Sequence, residues 1–142
     1  MFETMEVLAS GLSVARLRVN TLASNLANAQ TTQTAEGGPY RRRDVVQVAR
    51  DVPGTFRNSL DRMSLQRPAA LAVIADQSEP RKVYQPGHPD ADTEGYVNYP
   101  NINMVQTMTD MMMAQRLYQA SLSVMSATKD MIQESYRIGV SA

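Results

Sequence analysis

Apolar residues recur at a spacing of three and four at both ends of the chain and lose that spacing in between. From Phe2 to about residue 28, Met5, Leu12, Val19 and Leu26 return every seven residues. Phe2, Ala9 and Ala23 occupy a second heptad position that Arg16 interrupts, and Leu8, Ala15 and Leu22 widen the stripe. The second such stretch runs from about Asn101 to Ile138. There Met104, Met108, Met111, Tyr118, Leu122, Met125, Ile132 and Tyr136 keep the alternation, with Gln115 and Lys129 breaking it. Sustained over several heptads, this pattern predicts two long helices paired as an antiparallel coiled coil. Pro100 precedes the second helix, Asn101 or Asn103 suits its N-cap, and Gly139 suits the position after its last turn.

Between the helices, Val45–Val48, Leu71–Ile74, Arg81–Tyr84 and Tyr96–Tyr99 read as short strands. Pro53-Gly54, Pro86-Gly87 and Gly95 punctuate them. Residues 51 to 70 have no clear period and read as a loop with at most one helical turn. The expected fold class is α+β, predominantly α: two long terminal helices around one small antiparallel β insertion. Residues 1–30 and 101–142 would form a helical assembly domain, and residues 31–100 a linker and β-rich insertion.

Length turns this pattern towards assembly. A compact globule of 142 residues has a radius of gyration of roughly 14–15 Å, hence a diameter near ~37 Å. A helix over residues 101–138 reaches roughly 55 Å. No Pro or Gly interrupts it, so the molecule is expected to be elongated. Both apolar stripes are broader than a two-helix seam, and the excess is expected to lie against other chains.

Composition agrees. Formal charge sums to zero, which favours neither nucleic acid nor anionic membrane as a partner. Basic residues are 12 Arg against 2 Lys, a bias towards planar, bidentate contacts at packed surfaces. There is no Cys, which excludes disulfides, thiolate catalysis and cysteine zinc sites. No apolar run approaches a membrane span, and Glu3 and Glu6 near the start are unlike a secretory leader. On that basis alone the chain reads as cytosolic.

Candidate chemistry is sparse. His88 is the sole histidine, near Asp90, Asp92 and Glu94. The acidic spacing followed by Gly95 imitates the start of a calcium loop. However, Asn101 stands where a bidentate Glu belongs and no helix enters. A polar turn fits better. No nucleophile elbow, phosphate loop or dinucleotide fingerprint is present, so no catalytic, cofactor or metal residues are expected and the chain does not read as an enzyme. Arg41-Arg42-Arg43 lacks the aromatic platform of a nucleic-acid surface and fits ion pairing between subunits better. Seven of the ten Met lie in the second helix, where their adaptable shape suits both core and variable interfaces.

Three segments resemble a known family. "ASNLANAQTTQTAEGGPYRRRDVV" is similar to the N-terminal signature of flagellar axial proteins, "VYQPGHPDADTEGYVNYPNIN" to the stretch leading into their last helix, and "MMMAQRLYQASLSVMSATKDM" to that helix. Residues 1–50 and 80–139 carry the likeness. Gln30 departs from it, standing where a third Asn or Asp is expected. The resemblance is to the flagellar basal-body rod family, in its proximal-rod branch. It implies a structural subunit that polymerises through its terminal helices and transmits torque from motor to hook. It also implies a periplasmic rod position reached through the flagellar type III export apparatus without a cleaved signal. Implied partners are further copies of the chain, the proximal-rod proteins FlgB and FlgF, the adapter FliE and the distal-rod protein FlgG. No nucleic acid, membrane span or cofactor is implied. The expected assembly interface comprises Met5, Leu12, Val19, Leu26, Asn25, Asn28, Met108, Met111, Gln115, Arg116, Tyr118, Gln119, Leu122 and Met125. Apolar members would supply burial, and the amides register. A distal-rod or hook subunit, a secreted coiled-coil adaptor and a metal enzyme centred on His88 are the competing readings.

Overall fold

A computed structural model describes residues 2–51 and 66–140. The chain runs α1 (Phe2–Ala27), β1 (Arg43–Asp51), β2 (Gln66–Ala75), β3 (Arg81–Tyr84), β4 (Tyr96–Tyr99) and α2 (Met104–Val140). Asn103 is the N-cap of α2: its Oδ1 accepts the Gln106 N–H at 3.2 Å and its carbonyl accepts the Thr107 N–H at 2.9 Å. The helix continues through Gly139 to Val140, so Gly139 does not end it.

This is a mixed α+β chain, and the expectation of a predominantly α coiled coil with one β insertion is overturned. Helices of 26 and 37 residues enclose strands of 9, 10, 4 and 4 residues. The strands form two separate antiparallel sheets, β1–β2 and β3–β4. The first sheet is larger than its alternation suggested, because β2 extends back to Gln66 through Arg67 and Pro68. A proline lacks the N–H that a central strand needs, which hides such a stretch in sequence. In a two-stranded sheet both strands are edges, and Pro68 sits opposite Ala49 without harm. The register slips between Val46 and Gln47, leaving Leu71 as the extra residue of a bulge. The rest of the expected loop, with Pro53-Gly54, lies outside the described residues.

The helices run antiparallel. Thr21 and Leu22 share a cleft with Asp110, Val19 with Gln115 and Gln119, and Ala9 and Leu12 with Tyr118. From Tyr118, α2 has 22 residues to Val140, whereas α1 has about 10 from Leu12 back to Phe2. The end of α2 therefore overhangs α1 by about 12 residues, roughly 18 Å.

α1 is covered from two directions, by α2 and by the β1–β2 sheet, while α2 meets α1 alone among the elements. The sheet lies along α1 with Pro68 Cγ packed 3.6 Å from where a side chain on Gly11 would begin. Arg67 pairs with Glu6 at the far end. The core is small: Val14, Ala15, Ala29, Ala114 and Val97 are its buried apolar residues among those described. Val97 belongs to the β3–β4 hairpin. Gly95 at its turn has φ +84°, and a Cβ there would lie 2.9 Å from the Tyr84 ring.

Candidate functional site

The end of α1 is built around Asn25, which is 1% exposed. Its Nδ2 donates to the Arg43 carbonyl at 2.7 Å, and its Oδ1 accepts the Arg43 N–H at 2.9 Å. One side-chain amide thus satisfies both backbone groups of the first residue of β1, as a neighbouring strand would. The Tyr40 hydroxyl also donates to Asn25 Oδ1, at 3.1 Å. With that proton committed, the Ser24 hydroxyl donates to Tyr40 Oη at 3.3 Å. Asn28 acts on its own helix. Its backbone N–H and its Nδ2 both donate to the Ser24 carbonyl, at 3.1 and 2.9 Å, satisfying an acceptor left over at the helix end. The Tyr40 N–H to Thr31 carbonyl bond, 3.1 Å, closes the intervening loop. Gly37 and Gly38, with φ of 90° and 74°, turn it through conformations that a Cβ disfavours.

Along the helical pair, the structure redistributes the residues expected at the seam. Less-exposed positions of α2 recur at Thr107, Met111, Ala114, Tyr118, Ser121, Met125, Thr128 and Ile132, a three-four spacing. Met111, Tyr118 and Met125 lie in that seam. The other half is filled by small residues, not by Met108, Gln115 and Leu122. Met108 is 45% and Leu122 41% exposed, and Gln115, Arg116 and Gln119 are exposed as well. On α1, Met5, Leu12, Val19 and Leu26 are half-buried, whereas Ala9, Arg16 and Ala23 face out. Sequence reasoning passed over Thr107, Ala114, Ser121 and Thr128 because it ranked residues by apolar size. Their seven-residue recurrence was the available signal. The hydroxyls of Thr107, Ser121 and Thr128 donate to carbonyls four residues back at 2.8–2.9 Å, so they enter the seam with their polar groups paired. Small side chains let the helix backbones approach between Met111, Tyr118 and Met125, while Met108 and Leu122 are turned outward.

The arginine run serves the chain itself. Arg41 donates to Gln77 at 2.8 Å, Arg42 pairs with Asp44 at 2.8 Å and reaches Asp76 at 3.7 Å, and Arg43 lies over the Tyr40 ring. Asp76 is held below its ordinary carboxylate pKa, first by the Ser78 N–H, then by the Ser78 side chain and the Arg42 charge. In the acidic turn, Asp92 Oδ1 accepts the N–H groups of Glu94 and Tyr96 at 2.9 and 2.8 Å. Asp90 accepts the Thr32 hydroxyl at 2.7 Å, tying the turn to the loop that leaves α1. His88 Nδ1 accepts the Asp90 N–H at 3.1 Å.

What remains is a large apolar surface without a partner. Val105, Met112, Met113, Leu117, Val124 and Met131 of α2 are each more than half exposed. Exposed apolar residues grouped on one element mark a surface suited to interaction. No helix among the described residues is long and apolar enough to cross a membrane.

Comparison with known proteins accounts for both ends of the chain. The family described as "Flagella basal body rod protein" matches residues 5–33, that is α1 and its exit turn. The family described as "Flagellar basal body rod FlgEFG protein C-terminal" matches residues 93–138, that is β4 and α2. Over nearly the whole length, the chain is 35% identical to the flagellar basal-body rod protein FlgC of Borreliella burgdorferi, covering 97% of each chain. It is 36% identical to that of Bacillus subtilis, again over 97% of each, and 34% identical to that of Salmonella typhimurium over 98% of each.

Proposed function

The chain belongs to the family of the flagellar basal-body rod protein FlgC, and from that membership we propose that it joins its neighbours through its terminal helices and carries torque along the rod. It is a structural subunit of the flagellar basal body. The observation that supports assembly through the helices is the exposed apolar surface of α2. Burying the exposed remainder of a side chain such as Leu122 or Met108 stabilises by roughly 1 kcal/mol, so several such contacts together hold a subunit in place. Gln115, Gln119 and Arg116 stand among them, where a buried amide or guanidinium that lacks its partner penalises the wrong register. Asn25 is left out of that surface, because it is buried and bonded within its own chain.

The finer reading follows the family. The subunit sits in the periplasmic part of the rod, after export through the flagellar type III apparatus without a cleaved signal. Its neighbours are copies of itself, FlgB, FlgF, FliE and FlgG. Leu122→Asp tests the helical surface. The variant should be exported at the normal level, yet basal bodies should lack a complete rod and cells should not swim. Normal motility in that variant would overturn the reading.

A further inference from the structure

The seam that α2 turns towards α1 is flanked by two different surfaces. From Ala114 onward, positions one residue before the seam are Met113, Leu117, Ala120, Val124, Ala127 and Met131, all apolar, whereas Gln106 and Asp110 precede its first two residues. The four large ones are 51–64% exposed. Positions one residue after it include Gln115 and Gln119, which with Ala9, Ser13, Arg16 and Val19 of α1 line an open groove. That groove offers adjoining volumes of about 360 and 210 Å³. One residue is about 100° around a helix. The apolar flank and the groove therefore lie on opposite sides of the contact with α1, and a subunit cannot fill its own groove with its own flank.

Resting on the rod-subunit reading, we propose that copies of this chain associate head to tail, the Met113–Met131 flank of one seating in the Ala9–Val19 groove of the next. Size and charge support this pairing. The flank alternates large residues with Ala120 and Ala127, while the exposed α1 wall of the groove is built from Ala9 and Ser13 around Arg16. Large side chains meet small ones in both directions. Arg16 is the one charge lining the groove and makes no ion pair among the described residues. Glu134 is the next residue of the flank after Met131, and it is well exposed, its ion-pair partner among the described residues being Arg137 of its own helix at 3.6 Å. The contact also extends the α1–α2 packing without a break, adding a third helix beside an existing pair. Because donor and acceptor are different faces, the association is heterologous, which leaves a free face at each end for a further copy, as a two-fold dimer does not.

The absence of cysteine makes the test clean. Ala120→Cys or Ala127→Cys on the flank, and Ala9→Cys or Ser13→Cys in the groove, keep the small volumes. One flank variant and one groove variant, carrying different epitope tags, are co-expressed in motile cells, and isolated basal bodies are mildly oxidised. The expected result is a disulfide-linked product bearing both tags in at least one flank–groove combination, and no dimer from any variant expressed alone. Basal bodies that contain both variants but give no mixed product in any combination would overturn the proposal. So would a self-dimer from one variant. Absence of the chain from basal bodies would instead overturn the rod-subunit reading beneath it. In a second arm, Arg16→Glu and Glu134→Arg should each lose swimming, and the double reversal should regain it. Undiminished swimming in both single variants would count against this pairing.

Discussion

α1 and α2 carry similar apolar patterns and end in different surroundings. α1 is enclosed by α2 on one side and the β1–β2 sheet on another, and it holds more of the buried residues than any other element: Val14, Ala15, Thr21 and Asn25. α2 is longer, meets α1 along one stripe only, and leaves its last turns beyond the partner helix. The difference shows that an apolar stripe states how much surface is to be covered, not by what. On α1 the excess is taken up within the chain. On α2 it stays exposed in the single chain, and this is the surface proposed above for assembly.

Neighbouring residues on α2 give the strongest test of this contrast. Ala114, 5% exposed, faces α1, and Met113, 64% exposed, faces away. Ala114→Asp places an uncompensated charge in the helix contact and should cost about 3–5 kcal/mol in urea unfolding of the purified chain. Met113→Asp should change the same midpoint by no more than about 0.5 kcal/mol. Equal effects at the two positions would mean that α2 is covered on both faces in the free chain.

The joint at the end of α1 offers the next largest effect. Asn25→Ala strands the Arg43 backbone groups and the Tyr40 hydroxyl, at about 1–3 kcal/mol. Asn28→Ala should cost about 0.5–1 kcal/mol, because the Ser24 carbonyl keeps its backbone donor. Thermal melts followed by far-ultraviolet circular dichroism rank the two, and a larger loss at Asn28 would contradict the geometry of the joint.

The smallest effect lies at Asp76, off both helices. Its folded pKa is depressed below the ordinary 3.8. The stabilisation it brings is therefore fully present above that value and is lost as pH falls through the lower folded pKa. Asp76→Asn should remove this acid-limb dependence and leave the neutral-pH contrast between the helices unchanged. Acid titration of the unfolding midpoint in both chains measures it.

Much of the architecture was legible. The 3-4 alternation located both helices, and β3 and β4 span Arg81–Tyr84 and Tyr96–Tyr99 as their sequence suggests. Size-ranked reading failed on the seam. Met108 and Leu122 look like core and are exposed, while Thr107 and Ser121 look like surface and pack inward. Thr107 and Ser121 suit the inward positions because they are small and their hydroxyls are paired to carbonyls of their own helix. The extent of β2 was hidden by Pro68, and the pairing of β3 and β4 as a sheet of their own is a tertiary choice that no local pattern states. Asn25 was visible as a helix-end amide, but its partners, Tyr40 and Arg43, lie 15 and 18 residues on, where no local pattern connects them.

By itself, the sequence determined the helical ends, the turn chemistry at Asn25–Asn28 and Gly95, and an apolar surplus too large for two helices to bury. Those are local properties, written in spacing, backbone freedom and side-chain size. Only the tertiary structure decided which helix has its surplus covered at home. The β1–β2 sheet could lie along α1 or α2, and a single amide gripping both backbone groups of Arg43 ties it to α1. α2 is left with Met112, Met113, Leu117, Val124 and Met131 facing outward, because small residues alternate with Met111, Tyr118 and Met125 where the helices meet.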